Sequence, residues 1–197
     1  MQKLKENLDK LSSIVLKTYL DSVMFVTIIP IANNKCKTSN FLFDYSYYAI
    51  RERSIISAKS LIEPKGKNKL TIEKIIKDLQ QKEEYKQYAD ELYLQYKELF
   101  DSEGAKRIKK FRDSLCHNIQ TETMIYCKDI LALINDVMKI LDNIYQHIFG
   151  IKNENFHKIK YISQTLADDY WNAICSQADK MPNRNKELTE LQNLLNC

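Results

Sequence analysis

An arginine and a histidine five positions apart are the residues best placed to do chemistry in this sequence. Arg112 and His117 lie at the end of its most basic stretch, where a phosphate group would collect. The basic side chains before them are Lys106, Arg107, Lys109 and Lys110. The spacing alone is a weak pattern, because five Arg and three His in 197 residues give about 0.08 chance matches at this separation. The surrounding elements must therefore decide whether the pair forms a site.

Other common catalytic arrangements find no support in the sequence. None of the three histidines, His117, His147 and His157, has a metal-ligating partner three or four residues away, so we predict no metal site. Only three glycines are present and none is near another, which excludes a glycine-rich phosphate loop and a dinucleotide-binding fold. Cys116 adjoins His117, but neighbours on a helix point about 100° apart, so a cysteine nucleophile with this histidine as base would need a broken backbone.

The composition predicts a single all-α domain with a proper hydrophobic core. The chain has 197 residues, 44% of them hydrophobic, and only three Gly and three Pro interrupt it. An all-β protein of this size would need many more turn residues. We therefore predict one domain over 1–197, an up-and-down helical bundle with its core at about 1–180 and a C-terminal tail at 181–197.

Hydrophobic periodicity predicts about five long helices and a short C-terminal one. The long ones are expected at 2–29, 41–62, 71–100, 121–149 and 156–178. Pro30 should end or kink the first, and Gly150 should close the fourth, which is the central core helix. Thr71 and Ser102 are candidate N-caps, the latter for a short helix at 105–116 that carries the motif. The apolar positions expected along the second and last long helices include Tyr45, Tyr48, Ile56, Tyr161, Ile162 and Leu166.

Charge, cysteines and hydropathy favour a soluble cytoplasmic protein. The net charge of +4 is too small by itself to mark a nucleic-acid binder. Five widely spaced cysteines without a Cys-x-x-Cys pair predict reduced thiols. The N-terminus does not resemble a signal peptide, and the longest apolar run, 23–32, is shorter than the roughly 20 residues that span a bilayer. We expect no membrane association.

The motif resembles that of the HEPN (higher eukaryotes and prokaryotes nucleotide-binding) family, in particular its abortive-infection type. The family pattern is an arginine, a polar residue, a few further residues and a histidine between two long helices, and Arg112, Asp113 and His117 occur in that order. The layout of helices extends the resemblance over about residues 1–180. The chain departs from many toxin members in having Asn118 and Ile119, not a tyrosine, shortly after the histidine.

This resemblance implies a metal-independent ribonuclease that acts as a homodimer, with no cofactor. Cleaving RNA through its own 2′-hydroxyl needs a base, an acid and a cation for the phosphorane, and one chain offers a single suitable histidine. Two chains would supply two His117 as acid and base and two Arg112 as phosphate ligands. Asp113 and Asn118 would support them, and Lys106, Arg107, Lys109 and Lys110 would bind RNA. The implied role is a toxin or abortive-infection effector in antiviral defence, with an antitoxin or other regulatory protein as a possible partner.

Two alternatives remain open at this level. The basic stretch and His117 could be a solvated helix face and an ordinary helix-end residue. The chain could also be a catalytically silent helical module that binds RNA, a nucleotide or a protein through the same cleft. Tyr45, Tyr47 and Tyr48 would stack bases in an RNA-binding protein, although helical packing explains them more simply.

Overall fold

In a computed structural model, residues 1–34, 41–62, 70–117 and 127–178 are described, and they form an all-α bundle. These ranges contain seven α-helices, a 3-10 turn at Glu83–Tyr85 and no strand. The helices are α1 (Gln2–Asn34), α2 (Phe41–Ile62), α3 (Ile72–Gln80), α4 (Lys86–Asp101), α5 (Glu103–His117), α6 (Cys127–Phe149) and α7 (Glu154–Ala178). The predicted all-α bundle is confirmed.

The first helix, α1, packs against three other long helices of the bundle. Among the described helices, α1 packs most extensively against α7, and also along α2 and α6. Side-chain hydrogen bonds from Asn153 to Ser12 and from Gln164 to Thr27 show that α1 and α7 run parallel. The apolar stripe predicted for α6 is buried, as are the leucines spaced three and four residues apart on α1. These faces meet in one continuous hydrophobic core.

Three of the predicted helix boundaries are confirmed by local geometry. The backbone N–H of Lys74 donates to Thr71 Oγ1 at 3.2 Å, which caps α3. Ser102 caps α5 in the same way, accepting from the N–H of Ala105 at 3.2 Å. Gly150 follows α6 with φ +67°, the left-handed conformation in which glycine has no steric penalty.

Two other predicted boundaries differ in the structure. The first helix does not end at Pro30 but continues to Asn34. The single long helix predicted over 71–100 is wrong, because the chain there is divided into α3, the 3-10 turn and α4. The turn buries no residue, so tertiary packing does not hold its charged sequence in an α-helix. This part of the chain therefore contains two shorter helices where one long helix was expected.

Several apolar positions predicted on α2 and α7 are exposed. Tyr45 is 65% exposed, and Tyr48 and Ile56 also face solvent, whereas the buried face of α2 is formed by Ile55, Ala58 and Leu61. Exposed residues on α7 are Tyr161, Ile162 and Leu166. Both helices carry apolar residues around much of their circumference, so periodicity did not identify which stripe their neighbours would cover.

One described helix is long and apolar enough to cross a membrane by length and composition, the stretch Gln2–Ile28 of α1. Most of its apolar window is buried inside the bundle, as in the core helix of a soluble protein. Cys175, at the end of α7, is buried and disulfide-bonded. The side chains of the other four cysteines lie outside the described part. The expectation of five reduced thiols is therefore wrong at Cys175.

Candidate functional site

The motif lies on the second half of α5, and the helix is continuous from Glu103 to His117. Five residues of a regular α-helix correspond to a rotation of about 140° around its axis. The side chain of His117 and the whole of Asn118 lie outside the described residues, so these two predicted site residues have no described contacts.

Arg112 is largely buried and is paired with its neighbour in sequence. Its side chain is 13% exposed, and Nη1 lies 3.0 Å from Oδ1 of Asp113. The side chain of Asp113 is 41% exposed, so this carboxylate lies at the boundary between the bundle interior and the solvent. These two neighbouring side chains of the motif thus form an ion pair.

Lys59 is the residue of this site that sequence reasoning missed. It lies near the end of α2, its side chain is 3% exposed, and Nζ is 2.8 Å from Oδ1 of Asp113. The same carboxylate oxygen therefore contacts both Lys59 and Arg112. A sequence signal did exist, because Lys59 interrupts the apolar residues that form the buried face of α2. A lysine there has to be paired, since an isolated buried charge is costly.

The predicted RNA-binding cations of α5 fall into two structural groups. Arg107 makes a bidentate ion pair with Asp129, with Nε and Nη2 each 2.9 Å from a carboxylate oxygen. Asp129 is in the first turn of α6, where a negative charge also interacts favourably with the helix dipole. Arg107 thereby connects α5 to α6, and its guanidinium group is bound in an ion pair within the fold.

The three lysines of this stretch are on the outer side of α5. Lys106 pairs with the exposed Glu103 at 3.0 Å, and Lys110 is exposed. The ammonium group of Lys109 lies 5.8 Å from the centre of the Phe100 ring. Cations at the surface are those that a phosphate backbone would meet.

A further cation comes from α2. The guanidinium carbon of Arg51 lies 4.7 Å from the centre of the Phe111 ring, one residue before Arg112. Where α2 packs against α5, Lys59 and Arg112 thus share one aspartate, and Arg51 lies over the ring of the nearby Phe111. Within the described residues, no group of three His, Cys, Asp or Glu side chains could hold a metal ion.

A separate cleft of about 540 Å³ lies between α4, α5 and α6, and its polar lining includes Glu98, Asp129, Asp136 and Lys139. It contains none of the predicted site residues. Comparison with models of protein families, with curated proteins and with solved structures found no match to this chain. Function is therefore inferred from the residues of the chain itself.

Proposed function

We propose that the protein is a metal-independent endoribonuclease of the HEPN type that acts as a homodimer. The observation that supports this most is the charged cluster at the motif, where Lys59 and Arg112 share one carboxylate oxygen of Asp113. Buried ionic groups are seldom the most stable way to fill a core, so their presence at a candidate site favours a functional role. Arg112 is the phosphate ligand in this proposal.

The proposed reaction is attack of the RNA 2′-hydroxyl on the adjacent phosphorus, with cleavage of the bond to the 5′-oxygen. One His117 accepts the proton of the 2′-hydroxyl, and the His117 of a second chain donates a proton to the leaving oxygen. Arg112 stabilises the negative charge that develops on the phosphorane. One chain offers a single suitable histidine for the two proton transfers, which is a reason to expect a cleft shared by two chains.

RNA would approach over the outer side of α5. Lys106, Lys109 and Lys110 contact the backbone in this proposal, whereas Arg107 contributes less because Asp129 holds its guanidinium group. An effector of this kind would act in the cytoplasm as a toxin or abortive-infection protein, held inactive by an antitoxin or another regulatory protein. Disulfides are uncommon in a reducing cytoplasm, so the redox state of Cys175 in the cell tests the proposed location.

The first test is cleavage of labelled RNA in the presence of EDTA. We expect cleavage by the unmodified protein and losses of about 100-fold or more for Arg112→Ala and His117→Ala, the scale of acid–base and charge-stabilising groups. Lys158→Ala is the matched control, since it removes an exposed cation of α7 paired with Glu154. Equal cleavage by all four proteins, or loss of activity in EDTA, would contradict the proposal.

A second test addresses the shared cleft. The unmodified chain is co-refolded with His117→Ala at varied ratios, and cleavage is measured at constant total protein. If each site needs both histidines, activity follows the square of the unmodified fraction, because only dimers of two unmodified chains are complete. A linear dependence would show that each chain works alone.

A non-catalytic binding module is the second candidate, favoured by the engagement of two motif-region cations in ion pairs within the fold. Arg112 is mostly buried against Asp113, and Arg107 is bound to Asp129. Fluorescence anisotropy with uncleaved RNA distinguishes the two. RNA binding that weakens steeply with salt but produces no cleavage would favour the binding module.

A further inference from the structure

We infer that Lys59 is a positioning residue that holds Arg112 in place through Asp113. This inference rests on the proposed function, because it assigns Lys59 to the same site. Lys59 is not part of the motif and comes from α2, more than fifty positions earlier in the sequence. Its side chain is 3% exposed and pairs with Asp113, so it is not placed to touch RNA directly and is linked to the motif by this carboxylate.

The burial of Lys59 restricts the position of its ammonium group. Its side chain is 3% exposed, and its neighbours Ala58, Leu61 and Ile62 are buried in the hydrophobic core. A four-carbon stem packed among apolar side chains has few rotamers, so the ammonium group is held at a fixed point. Asp113 Oδ1 lies 2.8 Å from that point.

Asp113 Oδ1 contacts both Lys59 and Arg112, so the position of the lysine influences that of the arginine. Consecutive residues of a helix point about 100° apart, so Arg112 and Asp113 meet only if both side chains turn toward a common position. Lys59 fixes that position by holding the carboxylate, and Arg112 Nη1 then lies 3.0 Å from the same oxygen. Without Lys59, the carboxylate loses this restraint, and 41% of its side chain is already exposed. Arg112 would then lose the contribution of this contact to its orientation.

The test is a double-mutant cycle of Lys59→Met and Arg112→Ala, with RNA cleavage as the readout. Methionine keeps the length and packing of the lysine stem but removes the ammonium group. We expect Lys59→Met to lower kcat by about 10-fold or more with KM within about twofold, as for an interaction made in the transition state. The double variant should be no slower than Arg112→Ala alone, because both changes remove the same oriented guanidinium group. Losses that multiply would overturn the inference.

Lys139→Met is the matched control. It breaks an exposed lysine–aspartate pair on α6, with Nζ 2.7 Å from Asp136 Oδ1, and should leave kcat within about twofold. Lys59→Arg keeps the positive charge and should recover part of the kcat that Lys59→Met loses. Full activity of Lys59→Met would also overturn the inference.

A readout without cleavage separates this inference from the proposed function. In ¹⁵N spectra, the Arg112 Nε–H signal is assigned by its absence in Arg112→Ala. We expect it to shift or broaden in Lys59→Met but not in Lys139→Met, and an unchanged signal would refute the positioning role. If Lys59→Met does not fold, Asp113→Asn breaks the same link from its exposed side and is measured in the same way. Absence of cleavage by the unmodified protein would count against the ribonuclease alone, because the spectra still decide the role of Lys59.

Discussion

Tyr88 and Tyr145 both bury a phenol hydroxyl, but the two hydroxyls are in opposite situations. Tyr145 donates to Asp9 Oδ1 at 2.6 Å, and its oxygen lies 3.3 Å from Ser12 Oγ. The hydroxyl of Tyr88 is buried without a hydrogen-bond partner in the described structure, while its ring stacks on His147 at 3.7 Å. Burial raises the pKa of both, that of Tyr88 to about 12. Burial is the common cause, and only Tyr145 has a compensating hydrogen bond.

These two tyrosines form a matched pair of mutations. Tyr145→Phe should lower the free energy of unfolding by about 1 kcal/mol, because it removes the hydrogen bond from the buried hydroxyl to Asp9. Tyr88→Phe should be neutral or stabilise the fold by up to about 1 kcal/mol, since it removes an unsatisfied hydroxyl and keeps the ring. Urea denaturation measures both. A larger loss for Tyr88→Phe than for Tyr145→Phe would contradict this account.

Asp21 gives the fold a pH dependence of predictable sign. Burial raises the pKa of this carboxyl, although Arg53 donates to it at 2.7 Å and partly opposes the shift. Because the pKa of Asp21 is higher in the folded than in the unfolded protein, its protonated form stabilises the fold. This stabilisation is complete below the unfolded-state pKa of about 4 and is lost as the pH rises through the folded-state pKa.

Asp21→Asn mimics the protonated form at every pH. We therefore expect the stability of the variant relative to the unmodified protein to be greater at pH 7 than at pH 3.5, as measured by thermal melts. Glu154→Gln is the control of opposite sign, because Lys158 lowers the pKa of Glu154. A relative stability of Asp21→Asn that falls with rising pH would contradict the burial effect.

The sequence predicts which residues belong to the motif, but it does not predict which other residues hold their side chains in position. Arg112 and Asp113 are recognisable by type and spacing. Lys59 is not, because its role depends on the crossing of α2 over α5, and its distance from the motif along the chain gives no hint of contact. Likewise, the pairing of Arg107 with Asp129 depends on where α6 begins.

At the scale of elements, the helix ends are set by short local rules. Thr71 and Ser102 cap helices through their own hydroxyls, and Gly150 ends α6 by its backbone conformation. These are properties of a few adjacent residues, which is why they were predicted correctly. The division of 71–100 depends instead on tertiary packing, since the 3-10 turn between α3 and α4 buries no residue.

Gly150 and Gly104 should respond to alanine in opposite ways. Gly150→Ala should lower the free energy of unfolding by about 1 kcal/mol, because a side chain is disfavoured at φ +67° although the space is open. Gly104 is helical, and an added Cβ would lie 3.4 Å from Asp129, an ordinary contact. Gly104→Ala should therefore be neutral or stabilising by up to about 1 kcal/mol. Chemical denaturation of both variants tests the difference, and equal losses would argue against it.

At the scale of the whole molecule, the parallel pair of α1 and α7 brings distant parts of the chain together. Near the ends of these helices, Ile28, Trp171 and Cys175 form a second small hydrophobic cluster. The disulfide at Cys175 adds a covalent constraint to this end of the bundle.

The disulfide predicts a thiol count. Denatured but unreduced protein should show at most three free thiols per chain out of five cysteines, and Cys175→Ser should show one more than the unmodified protein. Reduction should lower the free energy of unfolding by about 2–4 kcal/mol, with little effect on Cys175→Ser. A titration that finds five thiols in the unmodified protein would contradict the disulfide.

The sequence by itself determined the all-α class, the caps and stops of several helices, and the buried stripes of α1 and α6. These follow from glycine and proline scarcity and from periodicity, which act over a few turns of the chain. Only the tertiary structure decided which face of α2 and α7 is covered, that Lys59 is buried against the motif, and that Arg107 is bound to Asp129. The physical reason is that burial and ion pairing depend on partners far away in sequence, and their positions are fixed only when the helices pack.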